Sequence, residues 1–290
     1  MGGVYLRDKK YMFFLVDAFT KSSFFGNPAG VCLLEGDYPD ARIMQDLAAY
    51  FNWSEISFIK KIGENRYRLR WFTPLDEAPL CGHATLGASH IIFQNMWNTD
   101  NSNTIEFVYN DGILKSTLNS DMSITMSFPV KPIERCCDIP FSIENIIGIR
   151  EYEAVYKDDL IYMIVLKRAS DIFNARPNFE EIKKIKIRAI LITAPGFDEY
   201  DFCSRYFAPS VGLYEDPVCG SAHCRLSYYW RDILHKNEFL AFQASKRTGV
   251  LKLRISENNV YITAFSKTVC HFDFDINDFI HNSKIRLGIS

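Results

Sequence analysis

The stretch Cys81-Gly82-His83-Ala84 recurs in diverged form as Cys219-Gly220-Ser221-Ala222. Each copy follows an aromatic-Phe-x-Pro element, which is Trp71-Phe72-Thr73-Pro74 in the first case and Tyr206-Phe207-Ala208-Pro209 in the second. Because both elements return in the same order and at nearly the same spacing, the sequence predicts two diverged copies of one structural unit. Each copy carries one cysteine at the matching position.

Composition is typical of a folded protein that acts on a small molecule. Of 290 residues, 48% are hydrophobic and 14% are aromatic, which is enough to fill a core in each half. Lys and Arg number 33 against 35 Asp and Glu, so no charge excess favours binding to nucleic acid or to an anionic membrane. The expected partner is therefore a small-molecule substrate.

The cysteines and the N-terminal region predict a cytosolic location. Eight cysteines are spread along the chain without a CxxC pair, a pattern that fits a reducing compartment. The apolar run from Tyr11 to Val16 ends at Asp17 and is too short for a signal sequence or a bilayer span. We expect no association with membranes.

Hydrophobic periodicity runs in parallel through the two halves. The first half predicts a helix over 41–51, a helix after its Cys-Gly motif, and strands near 12–19, 29–34, 57–61, 67–72, 104–109, 113–118 and 123–128. The second half predicts a helix near 178–186, a helix after its motif, and strands near 152–157, 160–166, 188–193, 200–207, 239–244, 249–256 and 259–265.

These elements predict an α+β fold of two pseudo-symmetric domains. Residues 129–140 contain three prolines and are the expected linker. The predicted N-terminal domain covers residues 1–128, with a possible contribution from 280–290, and the C-terminal domain covers 129–279. We expect each domain to be a curled, mostly antiparallel sheet around a central helix, with the active site in the interdomain cleft.

Each Cys-Gly motif opens an apolar stretch and is predicted to lie at the N-terminus of a helix. The unpaired N–H groups and positive dipole there suit a substrate carboxylate, and Gly82, Gly220 and Ser221 are the predicted contacts. The same field is expected to lower the pKa of the Cys81 and Cys219 thiols below the usual value of about 8.5. The alternative is that each cysteine is a small buried residue beneath a helix start.

Further motifs occur in order along the chain. They are Val16-Asp17-Ala18-Phe19-Thr20, Phe25-Gly26-Asn27-Pro28-Ala29-Gly30-Val31, Ser54-Glu55, Arg70-Trp71-Phe72-Thr73-Pro74, Cys81-Gly82-His83-Ala84-Thr85, Glu215-Asp216-Pro217-Val218-Cys219-Gly220-Ser221-Ala222-His223 and Gln243-Ala244-Ser245-Lys246-Arg247-Thr248-Gly249. With these motifs the chain resembles the PhzF-like phenazine biosynthesis family, within the diaminopimelate epimerase-like fold. The resemblance extends from residue 12 to about residue 249.

The resemblance implies a homodimeric isomerase that moves a proton on a small carboxylate-bearing metabolite without a cofactor. It implies Glu55 as the catalytic acid/base, with His83 and Asp216 as its partners. Such a role suits an apolar environment, in which a carboxyl group both removes and returns a proton near neutral pH. Trp53 and Ile56 flank Glu55 in the sequence.

Taken singly, the same residues have structural alternatives. Glu55 could be a surface or capping residue, Asp216 a turn residue before a proline, and His83 a satisfied histidine at a helix start. Asn27 either binds substrate or shapes a turn, and Ser221 either donates to a carboxylate or caps a helix.

No metal site is predicted from the sequence. His223 and Cys224 follow Cys219 at offsets of four and five residues, but no second pair of ligands has the spacing of a zinc site.

Two departures from the family pattern keep other functions open. The family usually has Thr where this chain has Ile56, and Thr again where this chain has Cys219. Related epimerases and racemases use a thiol at each of two Cys-Gly motifs, so Cys81 and Cys219 form an alternative acid/base pair for amino-acid epimerisation. A third hypothesis is a non-catalytic protein that binds a metabolite or a partner protein.

Overall fold

The computed structural model describes residues 10–94, 102–275 and 279. In chain order the elements are β1 (Lys10–Ala18), β2 (Asn27–Leu34), α1 (Ala41–Phe51), β3 (Ile56–Gly63), β4 (Arg66–Phe72), β5 (Glu77–Ala78), α2 (Gly82–Gln94), β6 (Thr104–Tyr109), β7 (Gly112–Leu118), β8 (Ile124–Pro129), β9 (Glu134–Arg135), α3 (Ile143–Ile147), β10 (Tyr152–Lys157), β11 (Ile161–Leu166), α4 (Ala169–Asn174), α5 (Phe179–Lys184), β12 (Ala189–Pro195), β13 (Phe202–Ala208), β14 (Leu213–Asp216), α6 (Gly220–Leu234), β15 (Glu238–Gln243), β16 (Gly249–Ser256), β17 (Asn259–Ala264) and β18 (Ser266–Asp275). Every strand predicted above is present to within two residues at either end.

The chain divides into two compact units. Of the described residues, the first comprises Lys10–Ala18, Pro28–Ile124, Ser266–Asp275 and Phe279. The second comprises Phe19–Asn27 and Thr125–Phe265. Asn27 therefore belongs with the second Cys-Gly motif, although it precedes the first motif in the sequence.

The predicted domain bounds, 1–128 and 129–279, stay a prediction. The suggested contribution of residues 280–290 lies outside the described residues.

In the first unit, the strands follow the order β18, β1, β2, β3, β4, β6 and β7, with the short β5 beside β4. Sequence alternation explains the sheet faces: in β4, Tyr67, Leu69 and Trp71 are buried, whereas Arg66 and Arg68 are exposed. Helix α2 contacts β1, β3, β7 and β18, and all its residues from 83 to 92 are buried. A helix buried on every side is the expected centre of a unit.

In the second unit, the strands follow the order β9, β10, β11, β12, β13, β15, β16, β17 and β8, with β14 beside β13. Helices α4 and α5 lie between β11 and β12 in the sequence, as α1 lies between β2 and β3. Helix α6 follows the second motif and contacts β16 and β17. Among the described residues, no helix is both long enough and apolar enough to span a bilayer.

The strand directions repeat between the units and confirm the predicted pseudo-symmetry. In the first unit β2 and β3 are parallel, β3 and β4 antiparallel, β4 and β6 parallel, and β6 and β7 antiparallel. In the second unit β11 and β12, β12 and β13, β13 and β15, and β15 and β16 follow the same sequence of directions. Each half is thus one copy of the same α+β unit.

Candidate active site

Backbone hydrogen bonds fix Glu55 at the start of β3. Helix α1 ends at Phe51, and Asn52 adopts the left-handed conformation with φ of 52° while its N–H bonds to the carbonyl oxygen of Ala48. The chain then turns, and the carbonyl oxygen of Glu55 accepts a hydrogen bond of 2.8 Å from the Gly30 N–H. Glu55 is therefore held by its backbone at the end of a helix–strand connection.

Gly30 is required by the packing of Trp53 next to this turn. A Cβ atom at position 30 would lie 2.5 Å from Cε3 of Trp53 and 2.8 Å from Cγ1 of Ile56. Trp53 also stacks on Phe51, with ring centroids 5.0 Å apart. The glycine of the Asn-Pro-Ala-Gly motif thus makes room for the indole ring that flanks Glu55.

Glu55 and His83 form an ion pair in the first unit. Oε2 of Glu55 lies 3.1 Å from Nε2 of His83, and their side chains are 21% and 9% exposed. The Ser54 hydroxyl donates to the carbonyl oxygen of Pro28 at 2.7 Å, so its oxygen accepts from Nε2–H of His83 at 3.2 Å. Nε2 therefore carries a proton and donates towards both Glu55 and Ser54.

Cys81 contacts the other nitrogen of the same imidazole ring. Its Sγ lies 3.4 Å from Nδ1 of His83, and Cys81 is buried at 6% exposure. The thiol donates to Nδ1 when the ring is neutral, and accepts from Nδ1–H when the ring is charged. Cys81, His83 and Glu55 form a continuous chain of polar contacts from a buried thiol to a partly exposed carboxylate.

The contacts among Cys81, His83 and Glu55 shift the pKa values of His83 and Cys81. Burial lowers the pKa of His83, but the interactions of the ring with Cys81 and Glu55 outweigh burial, so the pKa of His83 lies well above its usual value. Burial raises the pKa of the Cys81 thiol, and the charge of Glu55 raises it further. Burial thus keeps the Cys81 thiol protonated at neutral pH, and the contact with Glu55 favours the charged form of His83.

The raised pKa of His83 predicts a pH-dependent contribution to stability. Such a group stabilises the fold fully below its unfolded pKa of about 6.5, and this contribution is lost as the pH rises through the folded-state pKa. We expect the difference in unfolding free energy between wild type and His83→Gln to be largest near about pH 6 and to shrink at higher pH. Urea denaturation across that range measures it, and a difference that grows with pH would contradict a charged His83.

The donor atoms of Glu55, Cys81 and His83 all lie within 4.8 Å of one another. A thiol, an imidazole and a carboxylate are suitable zinc ligands. The imidazole ring, however, meets the thiol through Nδ1 and the carboxylate through Nε2. In the arrangement shown, the thiol and the carboxylate therefore contact opposite nitrogens of the ring.

In the second unit, Asn27 holds Asp216. Nδ2 of Asn27 donates to Oδ1 of Asp216 at 2.8 Å and to the carbonyl oxygen of Val218 at 3.0 Å. Asn27 is 1% exposed, so both bonds are shielded from water. The amide group that was expected to bind substrate or shape a turn therefore positions a carboxylate.

Cys219 lies next to Asp216 at the start of α6. The residue is half-buried, and its N–H donates to Oε1 of Gln243 at 2.9 Å. Burial, followed by the charge of Asp216, raises the pKa of the Cys219 thiol. The prediction of acidic thiols is wrong for both cysteines, because burial and a nearby carboxylate outweigh the field of the helix terminus.

In both motifs, the side chain four residues after the cysteine contacts the carbonyl oxygen of that cysteine. The hydroxyl of Thr85 donates to the carbonyl oxygen of Cys81 at 2.6 Å, and Nδ1 of His223 contacts the carbonyl oxygen of Cys219 at 2.8 Å. Burial lowers the pKa of His223 to about 4, so the ring is neutral and Nδ1 is the protonated nitrogen that donates. His223 is thus a structural cap, four residues after the cysteine as Thr85 is.

The remaining predicted contacts begin the two helices. Gly82 and Gly220 are the first residues of α2 and α6. The nearest atoms to a Cβ at position 220 would be 3.7 and 3.9 Å away, so packing within the unit does not require glycine there. Ser221 is exposed, and its hydroxyl lies 3.9 Å from Sγ of Cys219.

The predicted site residues thus form two groups. Glu55, Cys81, His83 and Gly82 belong to the first unit, and Asn27, Asp216, Cys219, Gly220 and Ser221 to the second. Ser54 and Gln243 contact these groups directly but were not among the predicted site residues. Both lie in motifs that carried the family resemblance.

Comparison with known proteins identifies the family of the chain. The family model described as phenazine biosynthesis-like protein, PhzC-PhzF, matches residues 16–269. The chain belongs to this family. The match covers every residue of both groups, and it confirms the resemblance identified from the motifs.

Individual members of the phenazine biosynthesis-like family support the assignment. An uncharacterized isomerase of Halalkalibacterium halodurans is 39% identical over 260 residues, which is 88% of this chain and 95% of that protein. The crystal structure of a PhzF family protein from Enterococcus faecalis is 35% identical, has a TM-score of 0.85, and is matched over 91% of this chain and 99% of that one. The prediction of an isomerase of this family is confirmed at that level, without a particular reaction.

The fold extends beyond the phenazine biosynthesis-like family. A probable proline racemase from Agrobacterium radiobacter is only 8% identical, yet has a TM-score of 0.60 over 93% of this chain and 94% of that one. This similarity shows a common fold alone, and it confirms the predicted epimerase-like architecture.

Proposed function

We propose that this protein moves a proton on a small carboxylate-bearing metabolite, with Glu55 as the acid/base and without a cofactor. The observation that carries the proposal is the ion pair between Glu55 and His83, in which the carboxylate is partly exposed and the imidazole is buried. A carboxylate that is oriented by a buried partner yet still accessible is suited to proton transfer. The ordinary alternative, a surface or capping Glu55, does not require a buried histidine partner.

The two oxygens of Glu55 have different environments. Oε2 is bonded to Nε2 of His83, and no hydrogen bond engages Oε1 within the residues that the structure describes. Oε1 therefore removes a proton from one carbon of the substrate, and the resulting carboxylic acid returns a proton to a second carbon. The electron pair shifts within the substrate, so no redox partner is needed.

Two further groups support this reaction. His83 keeps the carboxylate in one orientation, which lowers the cost of arranging the acid/base for each proton transfer. Asp216 is proposed as a second proton-transfer partner on the family resemblance, and Asn27 orients it. The N-termini of α2 and α6, at Gly82 and at Gly220 and Ser221, are proposed contacts for the substrate carboxylate.

The experiment that tests the proposal is proton exchange with solvent. The protein is incubated in deuterated buffer with a library of small carboxylic metabolites and amino acids, and deuterium incorporation is measured by mass spectrometry. Incorporation without added cofactor, at a position next to an acidifying group, supports the isomerase. Failure of every candidate would favour a non-catalytic protein that only binds a metabolite or a partner protein.

The second mechanism, with Cys81 and Cys219 as a pair of acid/base thiols, makes a different prediction. Because burial raises the pKa of both thiols, neither is expected to be a thiolate at neutral pH. We expect Cys219→Ser to retain proton exchange within about threefold of wild type. A loss of about 10²-fold or more, with unchanged fold, would instead establish the two-thiol epimerase.

The assembly and location are proposals from the sequence as well. A homodimer is expected from the family resemblance, and light scattering of the purified chain tests it. A cytosolic location is expected from the pattern of cysteines, and cell fractionation tests it.

A further inference from the structure

Side chains from other parts of the second unit contact the backbone of residues 216–219 at four consecutive positions. Three consecutive carbonyl oxygens, those of Asp216, Pro217 and Val218, each accept a hydrogen bond from a different side chain. The N–H of Cys219 donates to a fourth acceptor, the amide oxygen of Gln243. An irregular segment with this many side-chain partners has little freedom to move.

Gln243 bridges the two ends of this segment. Its Nε2 donates to the carbonyl oxygen of Asp216 at 2.7 Å, and its Oε1 accepts from the N–H of Cys219 at 2.9 Å. Gln243 is the last residue of β15 and is fully buried. The single side-chain amide of Gln243 thus satisfies the carbonyl oxygen of Asp216 and the N–H of Cys219 together.

Two other residues complete the support. The Ser245 hydroxyl donates to the carbonyl oxygen of Pro217 at 2.7 Å and accepts from the Thr248 N–H at 3.0 Å. A Cβ at Gly249 would lie 2.3 Å from Cγ2 of Val218, so the chain passes directly beside the segment there. The motif from Gln243 to Gly249, one of the motifs of the family resemblance, therefore lies along the backbone of residues 216–218.

We infer that Gln243 is a positioning residue for Asp216 and Cys219. Its amide group fixes the position of both backbones, and Asn27 fixes the orientation of the Asp216 carboxylate. The inference rests on the proposed function only in that Asp216 takes part in proton transfer. The structural half of the inference, that Gln243 fixes this segment, is independent of any reaction.

Position 243 requires the hydrogen-bond donor and acceptor of glutamine, and a side chain of equal volume would not replace them. Methionine has a similar shape but would leave a buried carbonyl and a buried N–H unpaired, and each unpaired group is costly. A glutamate carboxylate would accept from the Cys219 N–H but cannot donate to the carbonyl of Asp216. A protonated glutamate has one donor and one acceptor, so it can restore both bonds.

The test uses the full chain with Gln243→Met, Gln243→Glu and the matched control Gln45→Met. Gln45 lies on α1 in the first unit, and its amide also donates to a backbone carbonyl, that of Thr73 at 2.8 Å. The first measurement is the hydrogen-exchange rate of the Cys219 amide by NMR, which requires no substrate. We expect this rate to rise about tenfold or more in Gln243→Met and to stay unchanged in Gln45→Met.

The second measurement is the pH profile of Gln243→Glu. A buried carboxyl next to Asp216 is protonated more readily than usual, so the variant should regain both bonds as the pH falls. The ratio of its Cys219 exchange rate to that of wild type is expected to fall towards one at low pH. A merely structural defect would not be relieved by protonation of this side chain.

The third measurement is proton exchange into the substrate. We expect Gln243→Met to lower kcat by about tenfold with little change in KM, because it disturbs placement rather than binding. Unchanged protection of the Cys219 amide in Gln243→Met would overturn the structural inference. Loss of protection with unchanged kcat would overturn the positioning role, and absence of exchange in wild type would count against the proposed function alone.

Discussion

Glu55→Gln is expected to lower the rate of solvent proton exchange by about 10³-fold, because general acid/base groups typically contribute 10²- to 10⁴-fold. Glutamine preserves the shape of the side chain and its contact with His83, but its amide cannot accept and return a substrate proton. Mass spectrometry of a substrate that exchanges with wild type measures the loss. Equal exchange in wild type and Glu55→Gln would exclude Glu55 as the acid/base.

The control for this result is a second glutamate of the same unit. Glu77 forms a two-hydrogen-bond ion pair with Arg70, at 2.6 and 2.7 Å. We expect Glu77→Gln to retain exchange within about threefold of wild type, because surface ion pairs contribute little and the residue has no proposed catalytic contact. Circular dichroism and thermal unfolding of both variants distinguish a chemical defect from a folding defect.

The repeated part of the fold was predictable because apolar and polar residues alternate along its strands, as expected when one face of a strand is buried. In β4 the alternation of large apolar and arginine side chains is sufficient to identify a strand with one buried face. The repeated Cys-Gly motif then aligned the two halves, and the matching strand directions follow from that duplication.

The sequence did not predict β18, although it has ten residues. Phe272 and Phe274 alternate with Asp273 and Asp275 at its end, but residues 266–270 show no such period, and none of the residues of β18 is fully buried. Its partner is β1, more than 240 positions away in the sequence, in a ladder that begins with Lys10 opposite Asp275. Pairing of this kind is a tertiary property that local pattern does not encode.

The positions of the two motif cysteines were predictable from the sequence, but their pKa shifts were not. The motif placed Cys81 and Cys219 at helix starts, and the structure agrees. It could not show that burial around each thiol would outweigh the helix field. In the same way, the role of Gln243 depends on a strand that meets the motif only after folding.

A large loss of stability is expected from Asp158→Asn, which breaks a buried ion pair of the second unit. Asp158 pairs with Arg225 of α6, with Oδ2 at 2.6 Å from Nε and 2.5 Å from Nη2. Arg225 is 2% exposed, so neutralising its partner leaves a buried cation without an anion. Removing one partner of a buried pair typically costs 3–5 kcal/mol, and we expect about 3 kcal/mol here because Asp158 retains some exposure.

Asparagine is the appropriate replacement because it removes the negative charge of Asp158 but keeps an oxygen for the hydrogen bonds of the turn. Oδ1 of Asp158 accepts from the N–H groups of Leu160 and Ile161, both at 2.9 Å, in the turn between β10 and β11. The carbonyl oxygen of asparagine can retain these bonds, so the loss reports mainly on the ion pair. Urea denaturation of wild type and variant measures the change in unfolding free energy.

The matched control is Asp232→Asn on the same helix. Asp232 pairs with Arg231 at 3.0 Å, but their side chains are 65% and 34% exposed, so a cost below about 1 kcal/mol is expected. Combining Asp158→Asn with Arg225→Met should cost less than the sum of the two single changes, because the double variant leaves no buried charge unpaired. Additive costs would mean that Asp158 and Arg225 act independently, and that water rather than Asp158 solvates the guanidinium. Since Arg225 also donates to the carbonyl oxygen of Ser221 in the first turn of α6, the same pair ties the stability of this helix to the second Cys-Gly motif.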